Sequence, residues 1–445
     1  MTKKIENYLI FFFFLVPIFL ITGPALPDII ISLCGLYFLI SFIILNKNFL
    51  FLEDKLFIFS IFFWFSILFI SFFAFDKRQS FQDSLIFIRF LIIPTLGYFL
   101  FFNDEKRIKI AVTIIFCSVC FVTIDTLFQF LNYKSEDGFG SDLLGFKSDW
   151  YGRLTGPFGD ELIPGAYISK FGLIGYLFFF FLKNFKYKNI LEIIYLSTIG
   201  LVCFGSGERM AFATYFLALF TLLLFFKYKR FVFFSAIIIS IILINISLKF
   251  HPFYNDFKVI ESSHLHLGMK IEKYFNCEED VQKKCKKIIN IQPSFTEVIK
   301  NFSSSAYGEI YNVGLNMFIN NPLTGVGIGN YQDICLNTKK YNDLMINYKC
   351  ASHPHNIYIQ WLSEGGIITF ISFILFLSCI AHVIIKGSAS ISFKLISFVS
   401  LLILFWPIMS TGSLIKNWNG ASAFYIIGLC ICLARIKINL KSNLY

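Results

Sequence analysis

The chain has 445 residues, of which 56% are hydrophobic and 60 are phenylalanine, and its mean hydropathy is +0.69. A soluble core does not use apolar residues on that scale, and repeated runs of about 18–25 of them are the signature of spanning helices, so a soluble enzyme or binding module is excluded. The formal net charge of +11 reports topology in such a protein, and no nucleic-acid partner is expected.

In chain order the apolar runs predict about twelve spans, roughly 7–22, 26–45, 56–75, 84–102, 108–131, 162–182, 190–205, 208–226, 231–250, 357–385, 392–410 and 420–435. The first run is followed by Gly23-Pro24-Ala25-Leu26-Pro27 and then by another span. That reads as a turn between two spans, not as the cleavage site of a signal peptide. Alternate connections are basic, through Lys47 and Lys55, Lys106, Arg107 and Lys109, Lys183, Lys186 and Lys188, Lys227, Lys229 and Arg230, and Lys386 and Lys394. Both termini join this set, through Lys3 and Lys4 and through Arg435, Lys437 and Lys441. The positive-inside rule therefore puts both termini in the cytoplasm, and the long connections at about 132–161 and 251–355 on the outer side. The expected fold is an all-α polytopic membrane protein. Nine helices cover 1–250, a large, partly helical outer loop covers 251–355, and three more helices cover 356–445.

Five ionisable residues fall within or at the edges of these spans: Arg89, Asp125, Lys170, Arg209 and Glu364. By the predicted topology all lie in the outer half. Lipid-facing charge is heavily disfavoured, so their common depth predicts an outward-facing polar cavity with cationic walls. Taken singly, each also fits a snorkelling or ion-paired structural residue, and Asp28 marks the outer end of the second span. Arginine is scarce, seven against 32 lysines. Arg153, in the smaller outer loop, stands out because a planar guanidinium suits bidentate contact with an oxyanion.

The long outer loop contains an amphipathic helix, with Ile310, Val313, Met317 and Phe318 at helical spacing and Pro322 ending it. The glycine-rich stretch Leu323-Thr324-Gly325-Val326-Gly327-Ile328-Gly329-Asn330 follows. It lacks the Gly-Lys-Ser/Thr of a nucleotide-binding loop and reads as a structural turn. The run Lys283-Lys284-Cys285-Lys286-Lys287 reads as a solvated face, with contact to anionic lipid headgroups or glycan as the alternative. Seven of the eleven cysteines fall in spans; the other four, Cys277, Cys285, Cys335 and Cys350, share the outer loop. An oxidising compartment permits disulfides there, and neighbour pairing gives Cys277–Cys285 and Cys335–Cys350, one of three possible connectivities.

After this loop comes Ser352-His353-Pro354-His355-Asn356, where the chain enters a long apolar run. If the segment is helical from Asn356, then Asn356, Gln360 and Glu364 form a polar stripe below His355. Residues 367–385 are nearly long enough to span alone, so the first turns stand either in the membrane or above it, hinged at Gly365-Gly366. Cationic groups and a histidine on the outer side suit a lipid-linked pyrophosphate donor. Guanidinium groups would hold the leaving pyrophosphate, and the histidine would take a proton from an attacking hydroxyl.

These residues also carry a resemblance. His355-Asn356, nine residues, then Gly366-Ile367-Ile368-Thr369 resembles a motif of bacterial O-antigen ligases, and Pro322-Leu323-Thr324-Gly325-Val326-Gly327 is similar to their Pro-x-x-Gly-Val-Gly segment. Ser206-Gly207-Glu208-Arg209 resembles the family's Ser-Arg element, and Arg153-Leu154-Thr155-Gly156-Pro157-Phe158 its Arg-x-x-Gly-x-Phe element. Together these cover about 150–370, and the combination points to the O-antigen ligase and polymerase superfamily. The resemblance implies a cell-envelope glycosyltransferase of the bacterial inner membrane, acting in lipopolysaccharide biosynthesis without metal or cofactor. Its partners would be an undecaprenyl-pyrophosphate-linked glycan and an acceptor glycolipid such as lipid A-core, among membrane lipids. His355 is then the catalytic base and Arg209 a pyrophosphate ligand, with Arg153 and Arg89 as candidates for further phosphate contacts. His353, Asn356, Gln360, Glu364 and Lys170 would be supporting residues. One departure stands out: where relatives often carry a second arginine, this chain has Tyr307.

Three other readings stay open. A polymerase joining lipid-linked repeat units shares nearly every signal. A transporter also suits twelve spans, although no repeat links the two halves and a motif-rich outer loop is unusual for one. A metal site from His264, His266, His353 and His355 lacks Cys or carboxylate ligands at suitable spacing.

Overall fold

The computed structural model describes residues 2–41, 50–134, 138–148, 153–182, 185–255, 258–259, 270–275, 286–290, 300–346, 348–408 and 410–436. Cys277, Cys285, His264, His266 and the Lys283-Lys284 pair lie outside the described residues.

Each of the twelve apolar runs is helical over most of its described length. Seven helices are long and apolar enough to cross a membrane: Lys77–Phe101, Glu105–Leu131, Pro164–Phe181, Lys188–Gly205, Lys227–Phe250, Ile357–Lys386 and Asn417–Arg435. An eighth forms if Lys4–Phe14 and Val16–Thr22, bent by 55°, are one broken span. Pro17 explains that bend, because it lacks the N–H that would continue the ladder. Ala25–Ser41, Lys55–Ser71, Arg209–Phe225 and Ile391–Leu404 are shorter apolar helices. At about 1.5 Å per residue they fall short of a hydrocarbon layer of roughly 30 Å, so length supports seven or eight spans where the runs alone predicted about twelve.

Two boundaries differ from expectation in ways that matter later. The fourth run begins at Lys77 because Asp76 caps the helix, accepting from Gln79 N at 3.0 Å, which places Arg89 in the last turn of Lys77–Leu91, midway along the Lys77–Phe101 stretch. The eleventh helix ends at Leu404, before the expected 410. Pro407 follows closely, and its ring disfavours helical geometry for the residue before it. Residues 405–408 and 410–413 are thereby released from the helix. The long connection after Phe250 is not wholly helical. Lys258–Val259, Lys270–Phe275 and Lys286–Asn290 form a small antiparallel sheet with Lys286–Asn290 in the middle.

The chain forms two compact units. One comprises Met1–Ser118, Leu173–Lys183 and Ala306–Tyr445. Its centre is aromatic: Phe63 lies edge-on to Trp361 (5.1 Å between ring centroids), and Phe87 to Phe424 (5.7 Å). Such pairs favour edge-to-face geometry because ring faces are negative and edges positive. Asn417–Arg435 is its central helix, with 83% of its apolar window buried. A smaller core, built from Ile310, Val313, Met317, Val326, Tyr331 and Tyr341, joins the Ala306–Asn320 helix to the residues after it. Cys335 and Cys350 are disulfide-bonded beside this core, with Cα atoms 5.9 Å apart.

The other unit comprises Val119–Gly172 and Asn184–Ser305. Its helices are tied by buried polar contacts: Tyr195 Oη donates to Gly172 O (3.0 Å), Tyr215 Oη to Leu196 O (2.8 Å), and Lys229 pairs with the fully buried Glu192 (2.9 Å). Helix Lys227–Phe250 has only 28% of its apolar window buried, so most of its apolar surface remains for lipid.

Candidate functional site

In the first unit the site is built on a broken helix. Ile357–Lys386 is interrupted at Gly366, where φ is 62° and ψ −167°. In a continuous helix the carbonyls of Ser363 and Glu364 would accept from the N–H groups of Ile367 and Ile368, so the break leaves four backbone groups to satisfy. The glycine-rich loop supplies all four partners. Val326 N donates to Ser363 O and Gly327 N to Glu364 O (both 2.9 Å), while Ile367 N donates to Pro322 O (2.9 Å) and Ile368 N to Leu323 O (3.4 Å). The two motifs are therefore halves of one interlock.

Glycine is required on both sides. Gly325 has φ +64°, and a Cβ there would sit 2.5 Å from the Glu364 carbonyl carbon; Gly366 also has positive φ, and its Cβ would collide with Leu323 O. Non-glycine residues in such conformations cost on the order of 1–3 kcal/mol before any clash is counted. Gly366→Val should accordingly lower the detergent-solubilised melting temperature and disable the site together. A variant that melts like the parent would show the interlock to be dispensable. The loop is also fastened to the turn after Lys55–Ser71, where Phe75 N donates to Val326 O (3.1 Å), and to the helix that starts at Lys77, where Ser80 Oγ accepts from Ile328 N (2.9 Å).

His355 stands just before this broken helix. Among the described residues it is the one non-glycine residue with positive φ, 53°. Holding an L-residue in the left-handed region costs roughly 1–2 kcal/mol, so the surrounding contacts must enforce it. Thr411 N donates to His355 O (2.7 Å), and Asn356 caps the helix that follows, its Oδ1 accepting from Tyr358 N (3.0 Å) and Ile359 N (3.1 Å). That cap alone contributes about 1 kcal/mol. The His355 ring lies 4.1 Å from that of His353 and edge-on to Tyr307 at 5.7 Å. Among the described residues neither of its ring nitrogens takes part in a hydrogen bond. Burial holds its pKa below the ordinary histidine value, which keeps the imidazole neutral near pH 7.

His353 is differently engaged. Its Nε2 contacts Thr411 O (3.2 Å) and its Nδ1 contacts Ser352 Oγ (2.9 Å). A carbonyl only accepts, so Nε2 carries the proton and Nδ1 accepts from the serine hydroxyl. Burial, reinforced by neighbouring His355, pushes its pKa down to about 4. His353 is thus a fixed neutral donor, while His355 keeps its nitrogens open.

The polar stripe forms as the spacing suggests. Asn356 Nδ2 donates to Pro407 O (2.9 Å), and Gln360 Nε2 to Glu364 Oε2 (3.1 Å) and to Ser413 Oγ (2.7 Å). The Glu364 carboxylate faces the backbone N–H groups of Gly329 and Tyr331. Segment 405–413 contributes throughout, through Thr411, Ser413 and the Phe405 carbonyl that accepts from Tyr358 Oη (2.7 Å). Sequence reading assigned most of that segment to a span and so missed it; Pro407 was the available signal. Arg89 lies in this unit too, its Nε 2.5 Å from Asp28 Oδ1 and its Nη2 2.8 Å from Asn417 Oδ1. Its guanidinium is occupied in tying three helices together.

The second unit gathers Arg153, Lys170 and Arg209. Gln129, buried near the end of Glu105–Leu131, accepts from Thr155 N (3.1 Å) and Gly156 N (2.9 Å) and so pins the Arg153–Phe158 element. Leu154 N donates to Ser206 O (3.2 Å), joining that element to the Ser206–Arg209 turn. Arg153 Nη2 donates to Leu162 O (2.7 Å) and lies 4.0 Å from Glu208 Oε2. Arg209 is half-buried at the first position of helix Arg209–Phe225. A cation there opposes the helix dipole, so local helix energetics do not account for it. Lys170, within Pro164–Tyr176, acts electrostatically on Glu208. Glu208 was not singled out from the sequence, although a carboxylate beside a scarce arginine was the available signal. Asp125, one turn before Gln129 on Glu105–Leu131, accepts from Leu143 N (3.0 Å). Among the described residues no three His, Cys, Asp or Glu side chains are grouped to hold a metal ion.

A family model described as O-antigen ligase matches residues 194–374. The matched stretch contains the Ser206–Arg209 turn, the glycine-rich loop and the His355–Thr369 segment, and leaves Arg89 and Arg153 outside. No curated protein matches the chain.

Proposed function

We propose, from an O-antigen ligase family domain at residues 194–374, that this protein transfers a glycan from undecaprenyl pyrophosphate to an acceptor sugar such as that of lipid A-core. The family covers ligases and polymerases, glycosyltransferase-like enzymes of multi-span membrane proteins that use lipid-linked glycans. What carries the finer reading is His355: a neutral imidazole with both nitrogens open among the described residues, held in a strained backbone conformation at the mouth of a broken helix. Such strain persists where surrounding contacts enforce it and is characteristic of functional sites.

In this reading the acceptor hydroxyl oxygen attacks the anomeric carbon of the donor glycan while His355 takes the hydroxyl proton. The bond from the anomeric carbon to the pyrophosphate oxygen breaks, and undecaprenyl pyrophosphate leaves with the electron pair. Arg209 holds the leaving pyrophosphate, where fixed donors lower the barrier by meeting developing charge. Arg153 is the better candidate for a second guanidinium, since it shares a unit and a carboxylate neighbour with Arg209, whereas Arg89 is taken up by Asp28 and Asn417. No metal or cofactor is required by this scheme. Twelve apolar helices, both termini in the cytoplasm and a site facing the periplasm complete the proposal, on the charge asymmetry of the connections.

A deletion strain separates the two reactions within the family. Loss of a ligase leaves full-length polymer on the lipid carrier, whereas loss of a polymerase leaves single repeat units. Electrophoresis of the carrier-linked glycan reads the difference, and single units would make the polymerase the correct reading.

A further inference from the structure

Glu208 occupies the N-cap position of helix Arg209–Phe225, yet its side chain makes no cap to that helix. Its carboxylate reaches instead to the N-terminus of Pro164–Tyr176. Oε1 accepts from Gly165 N (2.7 Å) and Ala166 N (3.2 Å), and Oε2 is 3.2 Å from Ala166 N and 4.0 Å from Arg153 Nη2. Closeness is built in: a Cβ on Gly165 would lie 2.5 Å from Ser206 Oγ and 3.0 Å from Glu208 Oε1. The side chain is 11% exposed. One carboxylate thus satisfies orphan donors at the start of one helix, fixes the turn that opens another, and borders a guanidinium from a third segment.

We propose that Glu208 is a positioning residue for anion binding in this unit, holding Arg153 and the Ser206–Arg209 turn in the arrangement that receives a lipid-linked pyrophosphate. The inference rests on the donor reading given above and adds a residue to it. A simple structural cap would need the hydrogen bonds to Gly165 and Ala166 but not the charge toward Arg153, and that difference can be tested. The charged and titratable groups acting on Glu208 from neighbouring elements are Arg153 on its loop, Lys170 on Pro164–Tyr176 and Cys203 on Lys188–Gly205, with Arg209 next in its own chain. Burial pushes the Glu208 carboxyl up to about 7, against the pull of Arg153, the two N–H groups and Lys170. Its charge therefore changes across the neutral range, and as pH falls through that value it loses its hold on Arg153.

The test measures binding of undecaprenyl pyrophosphate by the purified full-length protein between pH 5.5 and 8.5, with undecaprenol as the phosphate-free control. Glu208→Gln keeps an acceptor oxygen for Gly165 and Ala166 but removes the charge. It should weaken binding about tenfold at pH 8, the scale of one charge-assisted hydrogen bond. Wild-type affinity should rise with pH through a step near 7 that is missing in Glu208→Gln, while Glu208→Asp should retain part of it. Wild-type affinity in Glu208→Gln, or tighter binding because a neutralising carboxylate is gone, overturns the proposal. So does failure of both variants to fold, by circular dichroism melting, since that assigns Glu208 to the fold alone. Arg209→Ala run in parallel keeps the two readings apart: undiminished binding there removes the donor reading itself, whatever Glu208 does.

Discussion

Alanine at His355 should reduce glycan transfer in membranes by about 10²–10⁴-fold, the usual contribution of a positioned general base. Protein level and melting temperature should change little. The ring is half-buried, its nitrogens hold nothing in place among the described residues, and the backbone contact from Thr411 uses the carbonyl rather than the side chain. His353 cannot take over, because its Nε2 is committed to Thr411 O and its pKa lies far below neutrality. The pH profile carries the same information. Burial lowers the His355 pKa, so His355 stays in its free-base form as pH falls toward the ordinary histidine value, and its own limb of activity loss lies below that value. Transfer that survives His355→Ala would mean that the base lies elsewhere.

Arg209→Lys should lower transfer by roughly 10–100-fold, with most of the loss in donor use. The charge is kept, but the planar fork that matches two phosphate oxygens is replaced by a point charge on a flexible stem. Arg209 begins its helix directly after Glu208, where the dipole disfavours a cation. Lysine meets the dipole as arginine does, so the loss of the fork should appear chiefly in transfer. Equal transfer by Arg209→Lys and the parent would reduce Arg209 to a counter-charge. Arg89→Lys offers a contrast: its partners are Asp28 and Asn417, so its loss acts through the packing of helices.

Much of the architecture was legible in the chain. Apolar runs located the twelve apolar helices, because burying backbone in lipid forces continuous hydrogen bonding within the segment, but not short helices such as Tyr331–Asn337. Their lengths were less legible, since hydropathy does not register a cap such as Asp76 or a stop such as Pro407. The stripe Asn356, Gln360 and Glu364 could be read from helical spacing alone. What those side chains bind could not, because Pro407 and Ser413 are some fifty residues away in sequence.

The sequence by itself determined the class of protein, the polar helix entrance at His355, the family resemblance and the scarcity of arginine. These rest on composition, on local period and on short motifs, all properties of neighbouring residues. Only the tertiary structure decided why the two glycine motifs occur together, namely that a helix broken at Gly366 must find four backbone partners and the loop at Pro322–Gly327 provides them. It also decided which arginine is occupied and which carboxylate stands between helices. Hydrogen bonds and ion pairs between distant segments depend on distances in space, and a linear order of residues does not contain those distances.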